Sequence, residues 1–278
     1  MSEPEATALD PAGTGEVGGY ALHRIEAIVE RALREAGVLG VLPTPLEALR
    51  VPARVHAVEP ISALRAPPAG PWLGALWFEQ RVIYIDARQS LPRRRFTEAH
   101  ELVHALCPWH EAVLRLDTEE DLFRPVVDAV EAEANAGAGL LIFQGAAFAR
   151  RAADAPCSLE TAFELAREHG ASRHATLHHY VQRHAGALAM LIVGRFPRRD
   201  GSLPVWRSVE SPAFRRRHGP ASAHYPHGLL TGTGLHSLVE ASRTTGGCPR
   251  DRVRLGERGR PVTAEAHYNR HAFLVLLA

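Results

Sequence analysis

The spacing of one histidine pair constrains this chain more than any other feature. His100-Glu101-Leu102-Val103-His104 sets two histidines four residues apart, with a glutamate after the first. On an α-helix, residues i and i+4 share a face, so both imidazoles can reach one metal ion. Glu101 falls about 100° round such a helix from His100. That is close enough to act on a water at the metal without being a ligand. The flanks favour a helix over residues 90–106, with Leu91, Phe96, Ala99, Leu102, Val103 and Leu106 as its apolar stripe. Pro92 suits the first turn and Pro108 stops the helix. Because the chain carries 16 His, the pentapeptide carries weight only in this context.

Residues 74–78 and 82–86 are apolar runs around Glu79-Gln80-Arg81, which predicts a β-hairpin feeding that helix. The free edge of such a strand can pair with an extended peptide. Residues 1–18 have few large apolar groups and read as disordered. Residues 20–36 predict a helix closed by Gly37. Thr44-Pro45-Leu46-Glu47 reads as a capping box opening a short helix, and residues 51–58 read as a strand. The acidic stretch 117–121 reads as a loop. Residues 125–145 predict a buried helix. Its Gly137 and Gly139 cost about 1 kcal/mol each relative to Ala, which points to close helix packing.

A catalytic zinc takes three protein ligands and leaves one position open. His110, six residues after His104, has the spacing of the metzincins, but Cys107 stands where those chains use glycine to reverse direction. The rival is Glu131 on the 125–145 helix, with Asn135 one turn further along the same face. That face otherwise points into the core, where an unpaired carboxylate is costly. Metal coordination by Glu131, with Asn135 orienting a ligand histidine, satisfies both residues. Glu133, about 200° round the helix from Glu131, reads as solvated.

Phe96-Thr97-Glu98-Ala99-His100-Glu101-Leu102-Val103-His104, followed by Glu131-Ala132-Glu133-Ala134-Asn135 and Leu140-Leu141, resembles the ImmA/IrrE metallopeptidases. The resemblance implies a minimal zincin fold in which His100, His104 and Glu131 bind Zn2+, with Mn2+ as the alternative. Glu101 is then the general base and Asn135 supports a ligand from behind. It further implies a narrow protein substrate, a helix-turn-helix repressor of the Xre type cleaved in a stress response. Asn135-Ala136-Gly137-Ala138 is closer to the IrrE branch than to the phage-type members. The proline that typically ends Leu-Leu-Met-Pro is absent here, where Ile142-Phe143-Gln144 stands.

Residues 158–184 predict a helix pair capped by Ser158 and Ser172 and resembling a helix-turn-helix. Strands are expected at 187–193, 205–209 and 271–278, with a short helix at 235–242. The fold class is therefore α+β, in four parts. Residues 1–18 are a disordered N-terminus and 19–150 a zincin-like domain. Residues 151–186 are a helix-turn-helix-like segment and 187–278 a C-terminal α+β domain, GAF-like by the resemblance. Oxyanion stabilisation could come from Tyr84 or from a histidine such as His178, His218 or His227.

The charge balance of +1 implies no polyanion partner. Every basic residue is Arg, a compositional bias. Arg93-Arg94-Arg95 reads as a solvated helix end. Arg215-Arg216-Arg217-His218 could bind an anion, and direct DNA binding by the helix pair stays open. Cys107, Cys157 and Cys248 show no Cys-x-x-Cys spacing, which predicts a reducing compartment. With no signal peptide or membrane-length apolar run, a cytoplasmic location is expected. The reading from another class is a non-catalytic DNA-binding or ligand-sensing regulator with a relic zincin domain.

Overall fold

The computed structural model describes residues 19–64, 72–115, 124–256 and 259–278. The readings of residues 1–18 as disordered and 117–121 as a loop fall outside them. The class is α+β, and the chain divides into two units. The first takes the described residues up to Ala147 together with Glu168–Ser172; the second takes Phe148–Arg167 and Arg173–Ala278.

In the first unit, α1 (Gly19–Glu35), α2 (Leu46–Ala53), α3 (Leu91–Leu106), α4 (Pro108–Arg115) and α5 (Arg124–Phe143) surround a small sheet. Its strands are β1 (Ala57–Pro60), β2 (Gly74–Trp77) and β3 (Val82–Ile85), in the order β1-β3-β2. β1 runs parallel to β3, and β2 forms the antiparallel hairpin predicted from the sequence, its outer edge unpaired among the described strands. Ile25, Leu33, Leu49, Ile83, Leu102 and Leu141 are fully buried at the centre. α3 packs on α5, on α1 and α2, and on the hairpin.

Gly137 makes that packing possible. A Cβ there would come within 2.7 and 2.8 Å of the two Val103 methyls. Gly139 has nothing within 4 Å of its Cβ position, so packing explains only one of the two glycines. α5 ends without proline: Gln144 takes a left-handed φ of 52°. Its buried side-chain amide donates to the Val41 carbonyl (2.9 Å) and the Thr44 hydroxyl (3.0 Å).

Two local readings are corrected. The capping box does not form, because Pro45 is the N-cap and the Thr44 hydroxyl donates instead to the Leu141 carbonyl at 2.9 Å. The strand expected at 51–58 begins only at Ala57. Leu46, Leu49 and Ala53 share one buried helical face, and helical period wins over alternation until Arg54 turns left-handed.

The second unit contains most of α6 (Ala146–Ala153) and α7 (Leu159–His169), all of α8 (Arg173–Arg183), and a five-stranded sheet. The strands are β4 (Ala189–Gly194), β5 (Val205–Glu210), β6 (Arg250–Arg254), β7 (Pro261–Tyr268) and β8 (Ala272–Leu277). All neighbours are antiparallel, in the order β5-β4-β8-β7-β6. β4 and β8 are buried along their whole length, so both sheet faces are covered. Leu191, Val193, Phe273 and Val275 face a core shared with α10 (Gly234–Thr245) and Phe214 of α9 (Pro212–His218). α8 packs against β4 and β5, burying Leu177, Tyr180 and Val181. Of the helix pair, the residues up to Arg167 and from Arg173 onward group with this unit, and Glu168–Ser172 groups with the first.

Candidate metal centre

α3 has two working sides. Ala99, Leu102 and Val103 are buried in the core, and one turn separates His100 from His104 on an adjoining side. α5 crosses there and delivers Glu131. The His100 Nε2 lies 3.2 Å from Glu131 Oε2, the His104 Nε2 lies 3.4 Å from Glu131 Oε1, and the two Nε2 atoms are 3.0 Å apart. One donor atom from each residue thus falls within 4.8 Å of the others. Asn135, one turn along α5, places its Oδ1 3.0 Å from His100 Nδ1. With that nitrogen donating, His100 Nε2 keeps its lone pair for the cluster. Two imidazole nitrogens and a carboxylate converging in this way fit a divalent zinc-like cation.

The Glu131 side chain is 43% exposed, so its face does not point wholly into the core. That opening leaves a solvent side to the cluster, which a catalytic site requires. Burial opposes its charge, but the neighbouring His100 and His104 imidazoles hold its carboxyl well below the usual range. For His100, burial is outweighed by Glu131 and Glu101, which raise its pKa. His104, more enclosed and facing His100, is depressed by burial.

Glu101 points toward the hairpin. Gly74 lies so close that a Cβ there would strike the Thr97 methyl and sit 3.3 Å from Glu101 Oε1. Burial pushes the Glu101 carboxyl up to about 7, opposed by the nearby His100 charge and a hydrogen bond from the Leu76 backbone. A buried carboxyl poised near neutrality beside converging ligand atoms has the properties of a general base.

Tyr84 is not part of this arrangement. Gly74 is paired with Ile85, so Glu101 lies on the Ile83 and Ile85 face of the hairpin. Tyr84 points to the other face, its hydroxyl 3.4 Å from Gln80 Oε1. The Tyr84 side chain therefore points away from the face on which Glu101 packs. His218 ends α9 in the second unit, where its carbonyl is 2.8 Å from His224 Nε2.

His110 joins the site in a different way from a metzincin ligand. Cys107 has φ −105°, no left-handed turn forms, and Pro108 starts α4 at once. This places His110 fully buried, with its Nδ1 3.0 Å from His104 Nδ1. Its Nε2 lies 3.0 Å from Glu133 Oε2, the same oxygen that accepts from Trp109 Nε1 at 2.8 Å. Arg24 of α1 covers Trp109, its guanidinium carbon 3.4 Å from the ring centroid. The solvated reading of Glu133 is corrected accordingly: its side chain is only 16% exposed. The missing signal was tertiary, since α5 is flanked by helices on both sides and both of its acidic faces meet histidine.

Residues 61–180 match the Peptidase M78 family model, described as the IrrE N-terminal-like domain. This stretch is an IrrE N-terminal-like domain. The ImmA/IrrE resemblance read from the histidine helix is thereby borne out. Comparison with curated proteins finds no match. Among solved structures, a Mycobacterium tuberculosis transcriptional regulator aligns with a TM-score of 0.55 and 18% identity. The alignment covers 92% of this chain and 75% of that one, and it shows likeness of fold. Within the IrrE N-terminal-like domain, no helix of the described residues is long and apolar enough to cross a membrane, nor is any elsewhere in them.

Proposed function

We propose that this chain is a metal-dependent endopeptidase. His100, His104 and Glu131 hold Zn2+, or Mn2+ in its place, and Glu101 is the general base. The observation that carries the reading is the convergence of three donor atoms within 4.8 Å beside the buried Glu101 carboxyl. A divalent ion bound there supplies Lewis acidity, lowering the pKa of a water and polarising a peptide carbonyl. Glu101 takes a proton from the water that attacks the carbonyl carbon. As the C–N bond breaks, Glu101 returns that proton to the leaving nitrogen. Asn135 keeps His100 in the required orientation, and the edge of β2 left unpaired among the described strands offers a strand to an extended substrate.

The substrate we propose is a protein, a helix-turn-helix repressor of the Xre type cut in a stress response in the cytoplasm. The regulator aligned above lends this reading support through its name alone. In the same reading, the second unit's sheet region is a GAF-like sensor. That name also favours the rival reading, a regulator whose zincin domain no longer acts. Metal content and Glu101→Gln decide between them. One ion per chain in the wild type and in Glu101→Gln is expected, with loss in Glu131→Ala. Cleavage of a candidate repressor, followed by mass spectrometry, should stop in Glu101→Gln. A regulatory effect that survives Glu101→Gln would establish the non-catalytic reading.

A further inference from the structure

The geometry assigns His110 and Glu133 a joint role: together they fix the tautomer and orientation of His104 as a metal ligand. The inference rests on the metal-centre reading above. The Glu133 carboxylate oxygen that accepts from Trp109 Nε1 also lies 3.0 Å from His110 Nε2. Trp109 can only donate, so this oxygen is an acceptor, and His110 Nε2 carries the proton directed at it. A neutral His110 then presents a bare Nδ1, and that atom sits 3.0 Å from His104 Nδ1. His104 must place its proton there, which leaves its Nε2 unprotonated, 3.4 Å from Glu131 Oε1. His100 is set from the other side by Asn135. Each ligand imidazole thus has its own support, one a single amide and the other a buried histidine backed by a partly buried carboxylate.

Full burial of His110 makes the idea separable from a packing role. Asn carries an oxygen where His carries Nδ1, so His110→Asn retains an acceptor for His104, whereas His110→Leu retains only apolar volume. A packing role ranks Leu above Asn, because burying an amide is costly. A positioning role ranks them the other way. The probe is Co2+ bound to the full chain, with affinity from competition against a chromophoric chelator and coordination from the visible absorption bands. We expect His110→Asn to stay within a few-fold of the wild type. His110→Leu should weaken binding about 10–100-fold and alter the bands. Glu133→Leu gives a second measure should His110→Leu fail to fold. It should also lose affinity, whereas Glu133→Gln, which keeps an acceptor oxygen, should retain it. Equal affinity in wild type and His110→Leu, or Leu outranking Asn, overturns the assignment. Failure of the wild type itself to bind Co2+ overturns the metal-centre reading, and the role of His110 with it.

Discussion

The Nε2 atoms of His100 and His104 face each other across 3.0 Å, each also within 3.4 Å of the Glu131 carboxylate. Two lone pairs aimed at one point repel unless a cation lies between them. Added zinc should therefore raise the unfolding temperature of chelator-treated protein. Saturation at 100 times Kd corresponds to about 2.7 kcal/mol. Glu131→Ala should abolish most of this gain in a thermal melt. An equal gain in that variant would place the ion elsewhere.

Glu101→Gln removes a proton acceptor while leaving the three donor atoms in place. Turnover should fall about 10²–10⁴-fold with metal content unchanged, measured on the same preparation. Loss of metal along with activity would mean that Glu101 helps to hold the ion.

The two glycines of α5 should respond in opposite directions. Gly137→Ala drives a methyl into Val103 and should cost about 1–3 kcal/mol in denaturant unfolding. Gly139→Ala meets open space inside a helix and should stabilise by about 0.5–1 kcal/mol. Matching signs would show that α5 does not lie on α3 as described.

His169 gives the first unit an acid limit. It is buried, with its Nδ1 3.0 Å from the Ile142 carbonyl, and burial depresses its pKa. The unfolded chain takes up this proton near pH 6.5, about where free imidazole does. Stability contributed by neutral His169 is therefore present above that pH and lost below it. His169→Gln keeps a donor but cannot titrate. Between pH 6.5 and 5, its unfolding free energy should fall less steeply than that of the wild type, by up to about 1.4 kcal/mol per pH unit. Parallel slopes would remove His169 as the cause.

Much of the first unit was legible because its signals are local. The period of Leu91 to Leu106 specifies α3, the apolar runs around Glu79-Gln80-Arg81 specify the hairpin, and Glu131 with Asn135 lies one helical turn apart. Glu133 was misread because its environment depends on α4 folding back beside α5, which no spacing encodes. In the second unit, β6 and β7 were missed for a different reason. Arg250–Arg254 is an edge strand with only Val253 buried, so it lacks alternation. In β7, the buried Glu265 accepts from the Leu159 backbone and pairs with Arg250, placing a charge where a strand pattern calls for an apolar residue.

Trp109 lies against Arg24, and Arg24 belongs to α1. The family match starts at residue 61, downstream of that helix. A fragment cut at the family boundary would retain every atom of the proposed ion cage yet lose the cover over Trp109. Ile25 and Val29, which fill the core beside α3 and α5, would go with it. The helix least marked by chemistry in the sequence thus sets how far upstream a self-sufficient domain has to begin.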